Sequence, residues 1–247
     1  MIWERDNYMA DIESIFNRTI VEYDMKSANT SLAKEFNLLP KDLITELENL
    51  PKQEREIRVG LLKRNDKGYS NKEKEAFKEA RRIFIETNHI QPEDILSIKK
   101  DAFFLLTYVD EEQVTDNILF RKKNVYTSFL MLKGVEVYYN QNGIDVKHIS
   151  DEFYKEYHSE YFGKFLSDMI RKVETVSKKN YLNYIRDFWC QYKWKELDSG
   201  YYREFNARSA FRYLNGEVSM EEYMEDKNML DISYNMGCII DLVNILL

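Results

Sequence analysis

Cysteine is almost missing from this sequence: Cys190 and Cys238 are the only two in 247 residues, beside three histidines. Two thiols make neither a disulfide framework nor a zinc site, so a reducing cytoplasm is the expected compartment. His89, His148 and His158 have no Cys or Ser neighbour at triad-like spacing, which leaves hydrolase chemistry without support. Glycine and proline are scarce, at eight and three. That scarcity predicts long regular elements with few tight turns and argues against disorder. No apolar run nears the ~20 residues that cross a bilayer, and no internal repeat or low-complexity segment is present. The opening MIWERDNYMADIE is acidic and lacks an apolar stretch, so it does not read as a secretory signal.

Aromatic residues, by contrast, are plentiful, with eighteen Tyr and fourteen Phe. The length suits one large domain or two small ones and is enough to bury a sizeable core. The net charge of −7 argues against a protein that coats nucleic acid indiscriminately. The charge is uneven, however. Residues 51–125 carry sixteen Lys and Arg against fourteen Asp and Glu, a local +2, so the remainder carries −9. Ordinary surface variation explains this, and so does a central segment that meets an anion.

The periodicity predicts a mixed α/β region of about 150 residues followed by helix. Residues 5–17 read as a short amphipathic helix, 19–24 as a strand, 29–36 and 40–50 as helices, and 54–64 as helix in preference to strand. NDKGYSN at 65–71 reads as a turn-rich connection. A helix is expected over 71–87, with Phe77, Ala80 and Phe84 as its apolar stripe. Lys74, Lys78 and Arg81 share one side of it, with Arg82 alongside. Interleaved Glu73, Glu75 and Glu79 could instead pair with these cations on a solvated face. Strands follow at 95–98, 102–109, 124–132, 135–139 and 144–149, with Lys133-Gly134 and Asn142-Gly143 as turns. After Ser150 the pattern is helical, with Ser219-x-x-Glu222 as a capping box. The fold class expected is α+β, a mainly antiparallel sheet packed by helices and followed by a helical C-terminal region.

Two acids stand out. Asp24 ends the apolar strand IVEYD, where burial is costly without a compensating cation or donor. Asp101 sits at the tip of a hairpin, SIKKDAFFLL. Taken singly, Asp24 also suits a helix N-cap and Asp101 a turn. If their strands are neighbours, the carboxylates converge, and divalent cations would relieve their repulsion.

At these residues the chain resembles the family B DNA polymerases. YDMKSANTSLA is similar to the first catalytic motif of their palm, and SIKKDAFFLL to their hairpin motif. FRKKNVY at 120–126 resembles the basic-plus-Tyr motif that holds primer–template. The resemblance spans roughly residues 18–150. It implies a palm-like domain over 1–150, with a short fingers-like helical insertion at about 34–92, and a helical thumb-like region over 151–247. It also implies template-directed nucleotidyl transfer in replication, with Asp24 and Asp101 holding two Mg²⁺ or Mn²⁺ ions. Lys78, Arg81, Arg82, Ser27 and Asn29 would meet the nucleoside triphosphate, and Lys122, Lys123 and Tyr126 the primed nucleic acid. The chain departs from the family where Lys99 replaces the first hairpin acid, Ala102 follows the second, and Asn29 stands where the family has Tyr.

An alternative of another class is a non-catalytic module, palm-derived or unrelated, that docks on protein partners such as a replication complex. Lys99, the negative charge and the Tyr-rich stretches FYKEYHSEYF and YLNYIRDFWCQYKW favour it, although those aromatics also suit core packing. No membrane partner is expected, and a viral source would place the protein in the host cytoplasm.

Overall fold

The computed structural model describes residues 1–132, 135–147, 166–194 and 196. The fold is α+β, with antiparallel pairing at every register described. The chain divides into two compact units: Met1–Ile12 with Thr19–Val125, and Glu13–Arg18 with Tyr126–Leu247.

The first unit is built on a five-stranded sheet. In chain order its strands are β1 (Asn7–Met9), β3 (Ile20–Met25), β4 (Ile95–Lys99), β5 (Ala102–Leu105) and β6 (Phe120–Tyr126). Their order in space is β1-β4-β5-β3-β6, which puts β3 between the hairpin strand β5 and β6. Between β3 and β4 lie α1 (Ala28–Glu35), α2 (Lys41–Asn49), α3 (Lys52–Asn65) and α4 (Lys67–Thr87). Pro40 and Pro51 stand at the N-caps of α2 and α3.

Alternation along β3 decides which side of the sheet each residue serves. Val21, Tyr23 and Met25 enter the core with Ile98, Phe103, Leu105 and Phe120. The helix α4 supplies the other half, because Phe77, Ala80 and Phe84 recur at helical spacing and are buried. Phe84 is the centre of this packing. Its ring stacks on Phe120 at 4.2 Å between centroids and lies 5.0 Å from Phe103 and 5.8 Å from Tyr23. Each buried aromatic or aliphatic side chain of this kind contributes about 1.5–3 kcal/mol. Glu22 and Asp24 alternate onto the opposite side of β3.

The second unit holds a four-stranded sheet ordered β2-β7-β8-β9: β2 (Ser14–Ile15), β7 (Ser128–Leu132), β8 (Val135–Asn140) and β9 (Gly143–Lys147). Tyr138 packs between Tyr126 at 5.2 Å and Phe129 at 5.1 Å. The helix α5, described over 166–175, anchors through Glu174, whose carboxylate accepts from Thr127 Oγ1 at 2.7 Å and Ser128 Oγ at 2.6 Å. It is followed by α6 (Lys178–Lys193), which buries Ile185 and Phe188.

Several expectations change. Residues 5–17 form no helix: a 3-10 turn at Ile2–Glu4 leads to β1 and β2. β1 is held by its partner, with Tyr8 opposite Ile98 and Met9 opposite Ser97, and β2 by Phe129 and Leu130. The connection expected at 65–71 is already helix from Lys67, because the Asp66 carboxylate caps α4 by accepting from Tyr69 N at 3.0 Å. The strand expected at 102–109 ends at Leu105. The one expected at 124–132 is two, β6 and β7, parted at Thr127, whose N–H donates to Tyr139 O at 2.8 Å. The second hairpin turn is Gln141-Asn142, with Gly143 opening β9 at φ +126 opposite Asn140. Lys133-Gly134, the capping box at Ser219–Glu222 and FYKEYHSEYF lie outside the described residues.

Candidate functional site

Asp24 does not cap a helix. It is the fifth residue of the six-residue β3, and the N-cap position of α1 belongs to Ser27, in the left-handed region at φ 48. On β5, Ala102 is its register partner. Asp101 immediately precedes Ala102, in the two-residue turn Lys100-Asp101 that joins β4 to β5. The Met25 amide donates to the Asp101 carbonyl at 2.9 Å. Two acids far apart in sequence therefore lie at the same end of the sheet.

The electrostatics at Asp24 record that placement. Partial burial pushes its carboxyl above the ordinary aspartate value, Lys123 pulls it down, and Asp101 and Glu22 push it up again; Arg121 pulls it down. Glu22, buried on the same side of β3, accepts from Lys123 Nζ at 3.1 Å and from Asn124 Nδ2 at 2.6 Å. Lys99 pairs in register with Ala102, which in turn faces Asp24. The half-buried Lys99 thus shares the row of Asp24, one strand removed.

The other expected site residues lie as follows. Ser27 lines an open cleft of about 260 Å³ with Lys26, Thr30, Ser31, Lys34 and Asn117. Its carbonyl accepts from the amides of Thr30 and Ser31, both at 3.0 Å. Asn29 is half-buried in the first turn of α1. Lys78, Arg81 and Arg82 of α4 are engaged within the protein. Lys78 pairs with Glu75 at 2.7 Å. Arg82 is held by Glu79 at 2.6 Å and by Glu86. Arg81 has no exposed side-chain surface and donates to Trp3 O, Lys100 O and Asp6 Oδ1. Lys122 places its Nζ 5.6 Å from the centroid of the exposed Tyr108 ring. Tyr126 is buried, and its hydroxyl donates to Asp145 Oδ2 at 2.8 Å.

A family model described as bacteriophage PBS1 gene 130 protein matches residues 1–247. The chain belongs to this family. No curated protein matches it.

For this gene 130 family chain, the donor set limits what the site could hold. Among the described residues no group of three or more His, Cys, Asp and Glu side chains is arranged around a metal position. Asp24 and Asp101 offer two carboxylates, which is the donor number Mg²⁺ commonly takes from a protein when substrate phosphates and water complete its shell. Glu22 and Arg121 were not singled out in the sequence. Their signal was the period-two alternation that puts Glu22 on the side of Asp24 and Arg121 on the side of Lys123. Among the described residues no helix is long and apolar enough to cross a membrane.

Proposed function

We propose that the chain carries out template-directed nucleotidyl transfer of the DNA polymerase kind, with Asp24 and Asp101 as the metal-binding acids. The observation that supports this reading is that β3 and the β4–β5 turn bring both acids to one end of the sheet, where Asp101 acts on the charge of Asp24. The place of β3, between the acidic hairpin and the basic β6 and with its helices on the side away from Asp24, agrees with a palm-like sheet. Bound Mg²⁺ or Mn²⁺ would supply charge stabilisation at the attacking and leaving oxygens of a phosphoryl displacement. The chain's own part is positional. Asp24 and Asp101 would orient the cations, and Lys123 and Arg121 on the neighbouring strand face incoming negative charge. Ser27 and Asn29 border the turn through which a triphosphate would approach. Lys78 and Arg82 could reach an anion only by exchanging their glutamate partners. Lys122 and Lys123 would meet the primed nucleic acid, and a phage family agrees with work in the host cytoplasm.

A second reading is favoured by one specific feature. Lys99 and Lys123 already supply cationic charge on the acid-bearing side of the sheet, as would suit a non-catalytic module that docks on a replication complex. Incorporation of nucleotides on a primed template separates the two. The enzymatic reading expects Mg²⁺- or Mn²⁺-dependent extension, lowered at least about a hundredfold by Asp24→Asn and by Asp101→Asn separately. Absence of extension with either metal and every nucleotide set, from a folded protein, removes it.

A further inference from the structure

We infer that Arg81 is the positioning residue of this site: it clamps the turn that carries Asp101, and so holds that carboxylate beside Asp24. The consequence for metal binding rests on the nucleotidyl-transfer reading; the clamp itself does not. A fully buried arginine is costly unless its donors are satisfied, and here they are spent on the turn and on the N-terminal segment that grips it. Nε donates to Trp3 O at 2.7 Å, Nη1 to Lys100 O at 2.8 Å and Nη2 to Asp6 Oδ1 at 3.0 Å. Lys100 is the residue directly before Asp101 and sits in the left-handed region at φ 51. Its own amide donates to Asp6 O at 2.6 Å, and its Nζ lies 4.4 Å from the centroid of the Phe77 ring. The turn is therefore gripped by the N-terminal segment at the Lys100 amide, by α4 at the Lys100 carbonyl and by β3 at the Asp101 carbonyl. Only a planar fork with donors pointing in several fixed directions can bridge Trp3, Asp6 and Lys100 at once. Arg81 thus acts on Asp101 through the Lys100 carbonyl and by its charge, whereas the resemblance would have it touch the triphosphate.

Two readouts on the full-length chain test this. Exchange of the Met25 amide, followed by NMR, reports how firmly the Asp101 carbonyl is held. The EPR signal of free Mn²⁺ reports whether the two carboxylates bind a cation. Arg81→Lys keeps the charge and loses the fork. It is expected to speed Met25 exchange at least about tenfold relative to the other β3 amides and to weaken Mn²⁺ binding about tenfold or more. Should Arg81→Lys fail to fold, Asp6→Ala at its half-exposed position removes the acceptor of Nη2 and is expected to give the same pattern at about threefold. Unchanged Met25 exchange in the folded variant overturns the clamp. Mn²⁺ binding that depends on Asp24 and Asp101 yet ignores the variant overturns the positioning role. Faster Met25 exchange, in a chain that binds no Mn²⁺ even before mutation, upholds the clamp and overturns the nucleotidyl-transfer reading alone.

Discussion

Asp24 stands in the fold at a cost that pH can reveal. Burial first, then Asp101 and Glu22, raise its carboxyl above the ordinary aspartate value against the pull of Lys123 and Arg121. A raised acid binds more protons folded than unfolded between the two values. Its contribution to stability is therefore fully present below the unfolded value and is lost as pH rises through the folded one. Asp24→Asn removes that loss, so the variant is expected to be more stable than the parent chain at neutral pH and to show a flatter stability profile in the acid range. Urea unfolding at a series of pH values checks this. Mg²⁺ should reverse the order if the pair binds it, by stabilising the parent chain and leaving the variant unmoved.

Among the elements, α4 meets the sheet at Phe84, whose ring lies against Tyr23 of β3, Phe103 of β5 and Phe120 of β6. Phe84→Ala opens a cavity between Tyr23, Phe103 and Phe120, and a loss of about 3–5 kcal/mol is expected from denaturant titration. These elements were legible in the sequence because each declares itself within one run: the stripe of Phe77, Ala80 and Phe84, the alternation of Ile20 to Met25, and the hairpin around Lys100-Asp101. The short strands β1 and β2 were not. Two or three residues carry no usable period, and what makes them strands lies more than eighty positions away, in Ile98 and Phe129. The candidate site divides along the same line. Asp24 and Asp101 were visible because a strand-end acid and a hairpin acid are local patterns. The role of Arg81 was hidden because two of its three acceptors are main-chain carbonyls, which no side-chain pattern marks. On paper Arg81 looks like Lys78 and Arg82; in the fold it alone is buried.

At the scale of the whole molecule, the chain is interleaved. Residues 13–18 belong to the second unit, although the first unit lies on both sides of them in sequence. Their attachments are specific: Ser14 and Ile15 pair with Leu130 and Phe129, Met131 N donates to Glu13 O at 2.9 Å, and Arg18 N to Thr127 O at 3.0 Å. Removing residues 1–18 is expected to injure both units at once, by deleting β1 from one sheet and baring the edge of β7 in the other. Light scattering and a lowered, broadened thermal transition would register it. A fragment beginning at 126 should aggregate for the same reason, and a co-expressed peptide spanning 11–18 should partly restore its solubility. On the ribosome this interleaving imposes an order. The edge strand at 14–15 emerges well before β7 and has nothing to join until more than a hundred later residues have been made. The newborn chain must keep that short segment free through the entire synthesis of the sheet around it.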